Sequence, residues 1–172
     1  MTTIPCPHCL LRPWHEGDAE SLIWNADDVR VSSMMREDFP SPFTYKEAEA
    51  WIARAAQQVA VFDFAIVPGD DPAGEAVGGV SLRIGEGEHR EFGELSFWLG
   101  HEFWGQGLAT EAVEATIAYA AMRFELRRLY ALVFADNLAA ARVLEKNGFA
   151  LQGRIEEGIR NRGQLQIGRA HV

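Results

Sequence analysis

The sequence predicts one mixed α/β (α+β) domain, built on a central sheet of about six to seven strands with helices on both faces. Its length of 172 residues is typical of a single domain. Hydrophobic residues make up 48% of the chain and charged residues 24%, which is the composition of a globular protein with a buried core. Strand patterns come first and then alternate with helix patterns, an order that favours a mixed sheet without internal repeats.

The first half of the chain carries most of the strand patterns. Small or polar residues alternate with large apolar ones over 59–67, and a turn rich in Pro, Gly and Asp follows. Thr44 and Glu47 have the spacing of a capping box at the start of a helix. The predicted elements of this half are strands over 10–14, 59–67, 76–84 and 92–100 and helices over 18–24 and 45–58.

In the second half, helix and strand patterns alternate. Apolar residues recur at helical spacing from Leu108 onwards, and Asn147 with Gly148 ends a second helix. A turn at 161–163 predicts a closing hairpin. The predicted elements of this half are helices over 107–123 and 137–146 and strands over 128–134, 149–160 and from 164 onwards.

The charge balance argues against two classes of partner. The chain has 25 acidic and 16 basic residues and a net charge of −9, whereas binding to nucleic acid or to an anionic membrane needs a clustered basic surface. A cationic or neutral substrate fits this balance better. No apolar run reaches the roughly 20 residues of a membrane helix, and the first residues lack the pattern of a secretory leader. We therefore expect a cytoplasmic protein, either monomeric or homodimeric.

Cys6 and Cys9 form a C-x-x-C motif close to the start of the chain. A redox dithiol needs its first cysteine at the N-terminus of a helix, but the residues that follow read as the strand over 10–14. A zinc site needs two more ligands, and only scattered histidines remain. The sequence therefore predicts a flexible N-terminus over 1–9, without metal, ahead of a folded domain over 10–166.

The last residues of the chain, 167–172, continue no hydrophobic pattern. Their sequence, IGRAHV, matches what a widely used sequencing adapter would encode if it were read through. We expect a non-native tail over these residues, with the native chain interrupted near Gln166. The alternative is an ordinary polar tail.

A glycine-rich loop lies directly between a predicted strand and a predicted helix. Gly105 and Gly107 permit positive φ and let a ligand approach the backbone, and the free N–H groups of the following helical turn favour phosphate. No Gly-Lys-Ser/Thr follows, which excludes a P-loop nucleotide hydrolase, and no third glycine completes a dinucleotide fingerprint. By itself the loop is explained equally well by tight packing of strand against helix.

The surrounding sequence resembles the GCN5-related N-acetyltransferase (GNAT) superfamily over about residues 10–166. The similarity is greatest to its ribosomal-protein-alanine acetyltransferase (RimJ/RimL-like) branch. It is carried by LLRPW (10–14), FWLGHEFWGQGLATEAV (97–113), NLAAARVLEKNGF (137–149) and GRIEEGIRNRG (153–163). The resemblance implies a GNAT fold that transfers acetyl from acetyl-CoA to a primary amine, by direct attack in a ternary complex and without a metal.

The resemblance also implies which residues bind acetyl-CoA. The loop and the first turn after it correspond to the pyrophosphate site, and one strand corresponds to the strand that pairs with the pantetheine arm. The loop residues are Gly105, Gln106, Gly107, Leu108, Ala109 and Thr110, and the strand residues are Phe97, Trp98 and Leu99. Asn137 corresponds to an Asn that binds the pantetheine arm, although a helix N-cap explains it equally well.

The catalytic residues are only partly accounted for. Glu94 is the candidate general base, with an ordinary exposed strand glutamate as the alternative. Ala140 and Leu144 stand where relatives carry a Ser or a Tyr that protonates the leaving thiolate, so the sequence offers no general acid. For the acceptor pocket, the resemblance points to Trp24, Asn25 and Phe39, with neighbouring aromatic residues Phe43 and Tyr45; all of these could equally be core residues.

Three functions therefore remain open at this point. The first is an acetyltransferase acting on a protein N-terminus or a small-molecule amine. The second is a non-catalytic domain that binds or senses acyl-CoA, and the third is an inert fragment whose last strand is incomplete. The acidic pairs Glu37–Asp38 and Glu156–Glu157 could attract a cationic amine, but charged loop residues are more simply read as solvated.

Overall fold

A computed structural model describes residues 2–155 and 164–170. Its sheet has eight strands in the order β1-β2-β3-β4-β5-β6-β8-β7, and only β5 and β6 run parallel. The strands are β1 Ile4–Pro5, β2 Cys9–Pro13, β3 Val61–Pro68, β4 Gly78–Ile84, β5 Phe92–Leu99, β6 Arg128–Phe134, β7 Ala150–Ile155 and β8 Gln164–Ala170. The predicted mixed sheet is confirmed, with the two-residue β1 added at one edge.

Five α-helices accompany the sheet in the described part of the chain. They are α1 Ala19–Ala26, α2 Val29–Ser32, α3 Tyr45–Ala55, α4 Leu108–Arg123 and α5 Leu138–Lys146. Thr44 caps α3 as predicted, because its hydroxyl accepts a hydrogen bond from the Glu47 N–H at 3.4 Å. None of the described helices is both long enough and apolar enough to span a bilayer.

Alternation along the strands divides the buried residues between two cores. On β3, Phe62 and Phe64 pack with α4 in the larger core, while Ala65 belongs to a second core on the opposite face. The second core holds Trp14, Leu22, Phe39, Phe43, Ile52 and Trp98, among others, and it lies under α1 and α3. Helices therefore cover both faces of the sheet, as the sequence predicts.

The parallel pair β5 and β6 separates soon after it begins. Pairing joins Phe92–Glu94 to Arg128–Tyr130 and stops there, although β5 continues to Leu99 and β6 to Phe134. Backbone groups along the facing edges of the separated parts are therefore left without a strand partner on that side. This opening, together with the loop that follows β5, positions the candidate site.

The N-terminal segment, which the sequence predicts to be flexible, pairs with β2 in the structure. Ile4 and Pro5 pair with Leu11 and Leu10, and β2 begins one residue earlier than predicted, at the buried Cys9. His8 fixes the turn to α4, because its N–H and its ring Nδ1 lie 2.9 and 2.7 Å from the two carboxylate oxygens of Glu111. Sequence patterns missed this arrangement because a two-residue strand has no periodicity to detect.

The C-terminal residues also extend further into the sheet than their sequence suggests. Strand β8 pairs with β6 as far as Ala170, so residues 167–170 of the predicted tail lie in a strand between β6 and β7. Strand pairing uses backbone groups and does not require an apolar pattern. That these residues are non-native stays a prediction, and Glu156 and Glu157 lie outside the described residues.

A buried ion pair joins β2 to the start of α1. Arg12 Nη1 and Nη2 each donate to Asp18 carboxylate oxygens at 2.7 Å, and both side chains are almost fully buried. Arg12 also donates to the carbonyls of Pro13 and Gly74 at 3.0 Å. These hydrogen bonds offset part of the desolvation of the two charges, and the Arg12 Nε remains buried without a partner among the described residues.

We expect Asp18→Asn to lower the free energy of unfolding by about 3 kcal/mol or more, because it leaves the Arg12 guanidinium buried without a counter-charge. Urea denaturation of the wild type and the variant measures the difference. Asp28→Asn is the matched control, since Asp28 pairs with Arg30 at the surface and Asn preserves its N-cap role; its effect should be several-fold smaller than that of Asp18→Asn. Equal losses in the two variants would contradict this prediction.

Candidate active site

The glycine loop connects β5 to α4 in a conformation that needs glycine at two positions. Gly105 and Gly107 have φ values of 75° and 82°, which L residues rarely adopt. A Cβ built on either residue would have no heavy atom within 4 Å. Tight packing of strand against helix therefore does not explain these glycines. The backbone conformation explains them, and it leaves open space in front of the loop.

The start of α4 leaves backbone donors facing this space. The first helical hydrogen bond runs from the Glu111 N–H to the Gly107 carbonyl at 3.1 Å. The N–H groups of Leu108, Ala109 and Thr110 therefore have no acceptor within the helix. Gly107 itself is the N-cap residue, and no side chain caps the helix. Free N–H groups and the positive end of the helix dipole together favour an anion.

A groove of about 540 Å³ lies between the starts of α4 and α5, and we call it the glycine-loop groove. Two cations of α5, Arg142 and Lys146, line it opposite the loop. Asn147 holds the helices together by donating to the Thr110 carbonyl at 3.2 Å. The other lining residues are Leu99, Phe103, Gly105, Gly107, Leu108, Ala109, Thr110, Leu138, Ala139 and Val143. Sequence reasoning missed the two cations, although their spacing of four residues puts them on one helix face.

The strand residues Phe97, Trp98 and Leu99 lie where β5 has separated from β6. Their side chains point to opposite faces: Phe97 and Leu99 pack against the larger core and Trp98 into the second. What they share is the free backbone edge of β5. The Trp104 indole donates to the Leu99 carbonyl at 2.9 Å and so fixes the following loop against the end of this strand.

Asn137 is the N-cap of α5, as one reading of the sequence predicts. Its side-chain oxygen accepts a hydrogen bond from the Ala140 N–H at 3.2 Å. Ala140 lies beside it at the surface of a second cavity, whereas Leu144 is fully buried in the larger core. The Leu144 side chain therefore packs within the core and lines neither cavity.

The second cavity, which we call the sheet cavity, has a volume of about 290 Å³ and lies on the α3 face of the sheet. Cross-strand rows of side chains form its floor, with Asp63 beside Ser81 and Ser81 beside Ser96. In the next row, Arg83 lies beside Glu94. The walls include Met34, Met35, Arg36, Asp38, Phe39, Trp51 and Arg54 on one side and Leu132, Val133, Asn137 and Ala140 on the other.

The sheet cavity therefore reaches the opening between β5 and β6. Leu132 and Val133 lie in the part of β6 that has left β5, and Asn137 and Ala140 lie at the start of α5 next to the glycine-loop groove. A molecule threaded through the opening would meet a second molecule in the sheet cavity. The two cavities therefore approach each other from opposite faces of one sheet.

Glu94 lies on the floor of the sheet cavity and is not an ordinary exposed strand glutamate. Its side chain is 14% exposed, and its Oε1 accepts a hydrogen bond from Arg36 Nη1 at 3.1 Å. Arg36 comes from the loop between α2 and α3, 58 residues away in sequence, and sequence reasoning missed it. The ion pair fixes one carboxylate oxygen in place beside the point where β5 and β6 separate.

Asp63 is a second carboxylate of the same cavity and was also missed. It is almost fully buried on β3, and its Oδ1 accepts a hydrogen bond from the Trp14 indole at 3.1 Å. Burial raises the pKa of Asp63 to about 7, although the Trp14 hydrogen bond and the positive charge of Arg54 act in the opposite direction. A lone Asp within an apolar strand, VFDFAIV, was the available signal.

The residues predicted for an acceptor pocket divide into two groups. Phe39 lines the sheet cavity and contacts the ring of Trp98 edge-on, with ring centroids 5.6 Å apart. Trp24 is exposed and lines a different groove, and Asn25 is buried, where its side-chain amide donates to the Ser21 carbonyl at 2.9 Å. The structure therefore does not bring Trp24 and Asn25 together with the sheet cavity.

Comparison with known proteins identifies the family. The family model described as "Acetyltransferase (GNAT) domain" matches residues 8–150. A GNAT-family acetyltransferase from Bacillus anthracis superposes with a TM-score of 0.85 at 20% identity, over 98% of each chain. Microcin C7 self immunity acetyltransferase MccE, solved with acetyl-CoA and AMP, superposes with a TM-score of 0.79 at 18% identity, over 96% of this chain and 93% of MccE.

Curated relatives match over shorter segments. Uncharacterized N-acetyltransferase YoaA of Bacillus subtilis is 29% identical over 52% of this chain and 50% of its own length. The ribosomal-protein-serine acetyltransferase of Escherichia coli is 34% identical over 37% of this chain and 36% of its own length. The chain thus spans half or less of the length of these relatives.

The raised pKa of Asp63 predicts a dependence of stability on pH. Between pH 4 and pH 7 the folded protein holds a proton on Asp63 that the unfolded chain releases, so this group lowers stability as the pH rises. Asp63→Asn removes the effect. We expect the difference in the free energy of unfolding, variant minus wild type, to increase by about 2–3 kcal/mol from pH 5 to pH 8.

Urea denaturation at the two pH values measures this difference. Asp70→Asn, at an exposed aspartate in the turn after β3, gives the baseline for the same substitution at the surface. A difference between Asp63→Asn and the wild type that does not change with pH would contradict the prediction.

Proposed function

The chain belongs to the GNAT acetyltransferase family, and on that premise we propose that it transfers an acetyl group from acetyl-CoA to a primary amine. The amine belongs to a protein N-terminus or to a small molecule, and it attacks directly in a ternary complex. One observation carries the proposal: the sheet cavity and the glycine-loop groove lie on either side of the opening between β5 and β6.

The residues of the groove fit acetyl-CoA. Free N–H groups at the start of α4 match a diphosphate, and the space in front of Gly105 and Gly107 lets it approach. Arg142 and Lys146 add positive charge for the remaining phosphate. The free edge of β5 at Phe97 and Trp98 has backbone groups that can pair with the amides of the pantetheine arm.

Asn137 supports the same assignment. The N-cap interaction uses its side-chain oxygen, and no described residue accepts a hydrogen bond from its Nδ2 group. That group lies at the wall of the sheet cavity, where it can donate to a pantetheine carbonyl. Capping the helix and binding the arm are therefore compatible roles of one side chain.

Glu94 is the group that we assign to remove a proton from the acceptor ammonium. It lies beside the end of the β5–β6 pairing, on the face of the sheet from which the acceptor enters. Arg36 holds its Oε1 and so orients the carboxylate. When bound, acetyl-CoA supplies the electrophilic thioester, and Glu94 supplies the base that turns the ammonium into a nucleophile.

No described side chain at the two expected positions can protonate the leaving thiolate. Ala140 lacks a titratable group, and Leu144 is enclosed in the core. A thiol of ordinary pKa, near 8.5, can take its proton from water at neutral pH. These two residues also favour a second candidate function, a domain that binds acyl-CoA without turnover.

We expect Glu94→Gln to lower kcat/KM by about a hundredfold near neutral pH, because the amide cannot accept the ammonium proton. Its affinity for acetyl-CoA should stay within about twofold, since Glu94 is not part of the groove that we assign to the nucleotide. Release of free thiol with a panel of amines measures turnover, and titration calorimetry measures affinity.

The control for this variant is Glu91→Gln. Glu91 immediately precedes β5, pairs with Arg127 at the surface and does not line either cavity. Full activity in Glu94→Gln would remove Glu94 from the mechanism. Binding of acetyl-CoA without thiol release for any amine would favour the sensing domain, and absence of binding would overturn the proposal.

Arg142→Ala and Lys146→Ala test the groove. Each should weaken binding of CoA by about tenfold, because each removes a charge-assisted contact to phosphate. Lys46→Ala removes an equally exposed cation from α3 and should leave the affinity unchanged. Titration calorimetry with CoA at fixed ionic strength measures all three, and equal affinities across the set would contradict the assignment of α5.

A further inference from the structure

Asp18 and Asp63 are the two buried aspartates among the described residues, and their surroundings differ. Asp18 has a cation of its own, since Arg12 donates to both of its oxygens. Asp63 has one indole N–H on Oδ1, and no hydrogen bond from a described residue reaches Oδ2. A buried carboxylate that lacks a counter-charge destabilises the fold, and such groups cluster at binding and catalytic sites.

The charged groups around Asp63 leave it available to a ligand. Arg54 of α3 lies over the Trp51 ring, 5.2 Å from its centroid, and is exposed to solvent. Arg36 is held by Glu94 of β5. The remaining charged side chains of the cavity, Arg83 of β4 and Asp38 of the loop before α3, are exposed at its rim. The residue that follows β2, Trp14, is neutral.

The sheet register fixes how far Asp63 lies from the reacting groups. Asp63, Ser81 and Ser96 form one cross-strand row over β3, β4 and β5, and acetyl transfer on the proposed function takes place at the far edge of β5. Two strand spacings separate β3 from β5 by about 10 Å. This distance is too long for Asp63 to hydrogen-bond the attacking amine itself.

We propose that Asp63 binds a second positively charged group of the acceptor, so that this enzyme prefers amines which carry another ammonium at a distance from the one that is acetylated. This inference rests on the proposed function. A hydrogen bond to the Asp63 carboxylate spans about 3 Å of this strand separation, which leaves roughly 6–8 Å between the two nitrogens of the acceptor. Diamines of four or five methylenes span that distance.

The second charge can belong to a small diamine or to a lysine next to a peptide N-terminus. Putrescine and cadaverine probe the first source, with butylamine and pentylamine as partners that lack only the second amine. Peptides that begin Ala-Lys and Ala-norleucine probe the second source in the same way. Each pair differs by one ammonium, so the ratio of kcat/KM within a pair isolates the contribution of that charge.

In the wild type, we expect kcat/KM for the dicationic acceptor to exceed that of its monocationic partner by about tenfold or more in at least one pair, which is the usual effect of a charge-assisted hydrogen bond. In Asp63→Asn this ratio should fall toward one. The loss should appear mainly in KM. Asp70→Asn, at the exposed turn, should keep the wild-type ratio. The pair that responds identifies the source of the charge.

The pH profile separates a binding carboxylate from a structural one. Because the pKa of Asp63 is raised to about 7 by burial, KM for the dication should fall as the pH rises from 6 to 8, as Asp63 becomes negatively charged. Asp63→Asn should abolish this dependence. A purely structural role would leave the pH dependence of KM the same for both members of a pair.

Thermal shift with putrescine in the presence of CoA tests binding without turnover. Stabilisation of the wild type that is absent in Asp63→Asn supports the proposal even where no amine is acetylated, and in that case the proposed function alone fails. Ratios near one for every pair, together with no stabilisation, overturn it. An equal fall in kcat for both members of each pair in Asp63→Asn also overturns it, because Asp63 would then act on the reacting amine.

Discussion

The separation of β5 from β6 is the constraint on which the rest of the site depends. Three paired residues on each strand hold the sheet together, and beyond Glu94 and Tyr130 the strands leave each other's hydrogen-bonding range. Unpaired backbone is tolerated in a sheet only where another partner satisfies it. The same opening joins the glycine-loop groove on one face to the sheet cavity on the other. On the proposed function, acceptor and acyl donor can therefore meet without a tunnel through either core.

The two buried aspartates illustrate how stability and function divide between equivalent side chains. Asp18 and Arg12 neutralise each other and join β2 to the first helix, so neither charge is buried without a counter-charge. Asp63 has an indole hydrogen bond and a raised pKa, so its burial opposes the fold at neutral pH. A carboxylate in such a position is typical of binding and catalytic sites, which agrees with the binding role proposed for Asp63.

The sequence predicted the parts of the site that depend on local order. Gly105 and Gly107 adopt positive φ in a turn that is contiguous in the chain, and Asn137 caps the helix that it precedes. Arg36 could not be found in this way, because its partner Glu94 is distant in sequence and their contact depends on how the loop before α3 folds over the sheet. The contact of His8 with Glu111 of α4 was missed for a related reason, because the two residues are far apart in the sequence.

On the proposed function, Ala140 and Leu144 limit how the reaction can be organised, because neither side chain can act as a general acid. Leu144 packs in the larger core, so a polar side chain there would be buried among apolar residues, and Ala140 has no proton to give. The leaving thiolate can then be protonated by water. The protein contributes to rate by deprotonating the acceptor ammonium and by positioning the two substrates. An acceptor that is bound at two points has lost more translational and rotational freedom before the reaction than one bound only at its reacting amine. Less of this entropy is then lost in reaching the transition state. On the proposed function, Asp63 would therefore contribute to rate by positioning the acceptor and not by transferring a proton.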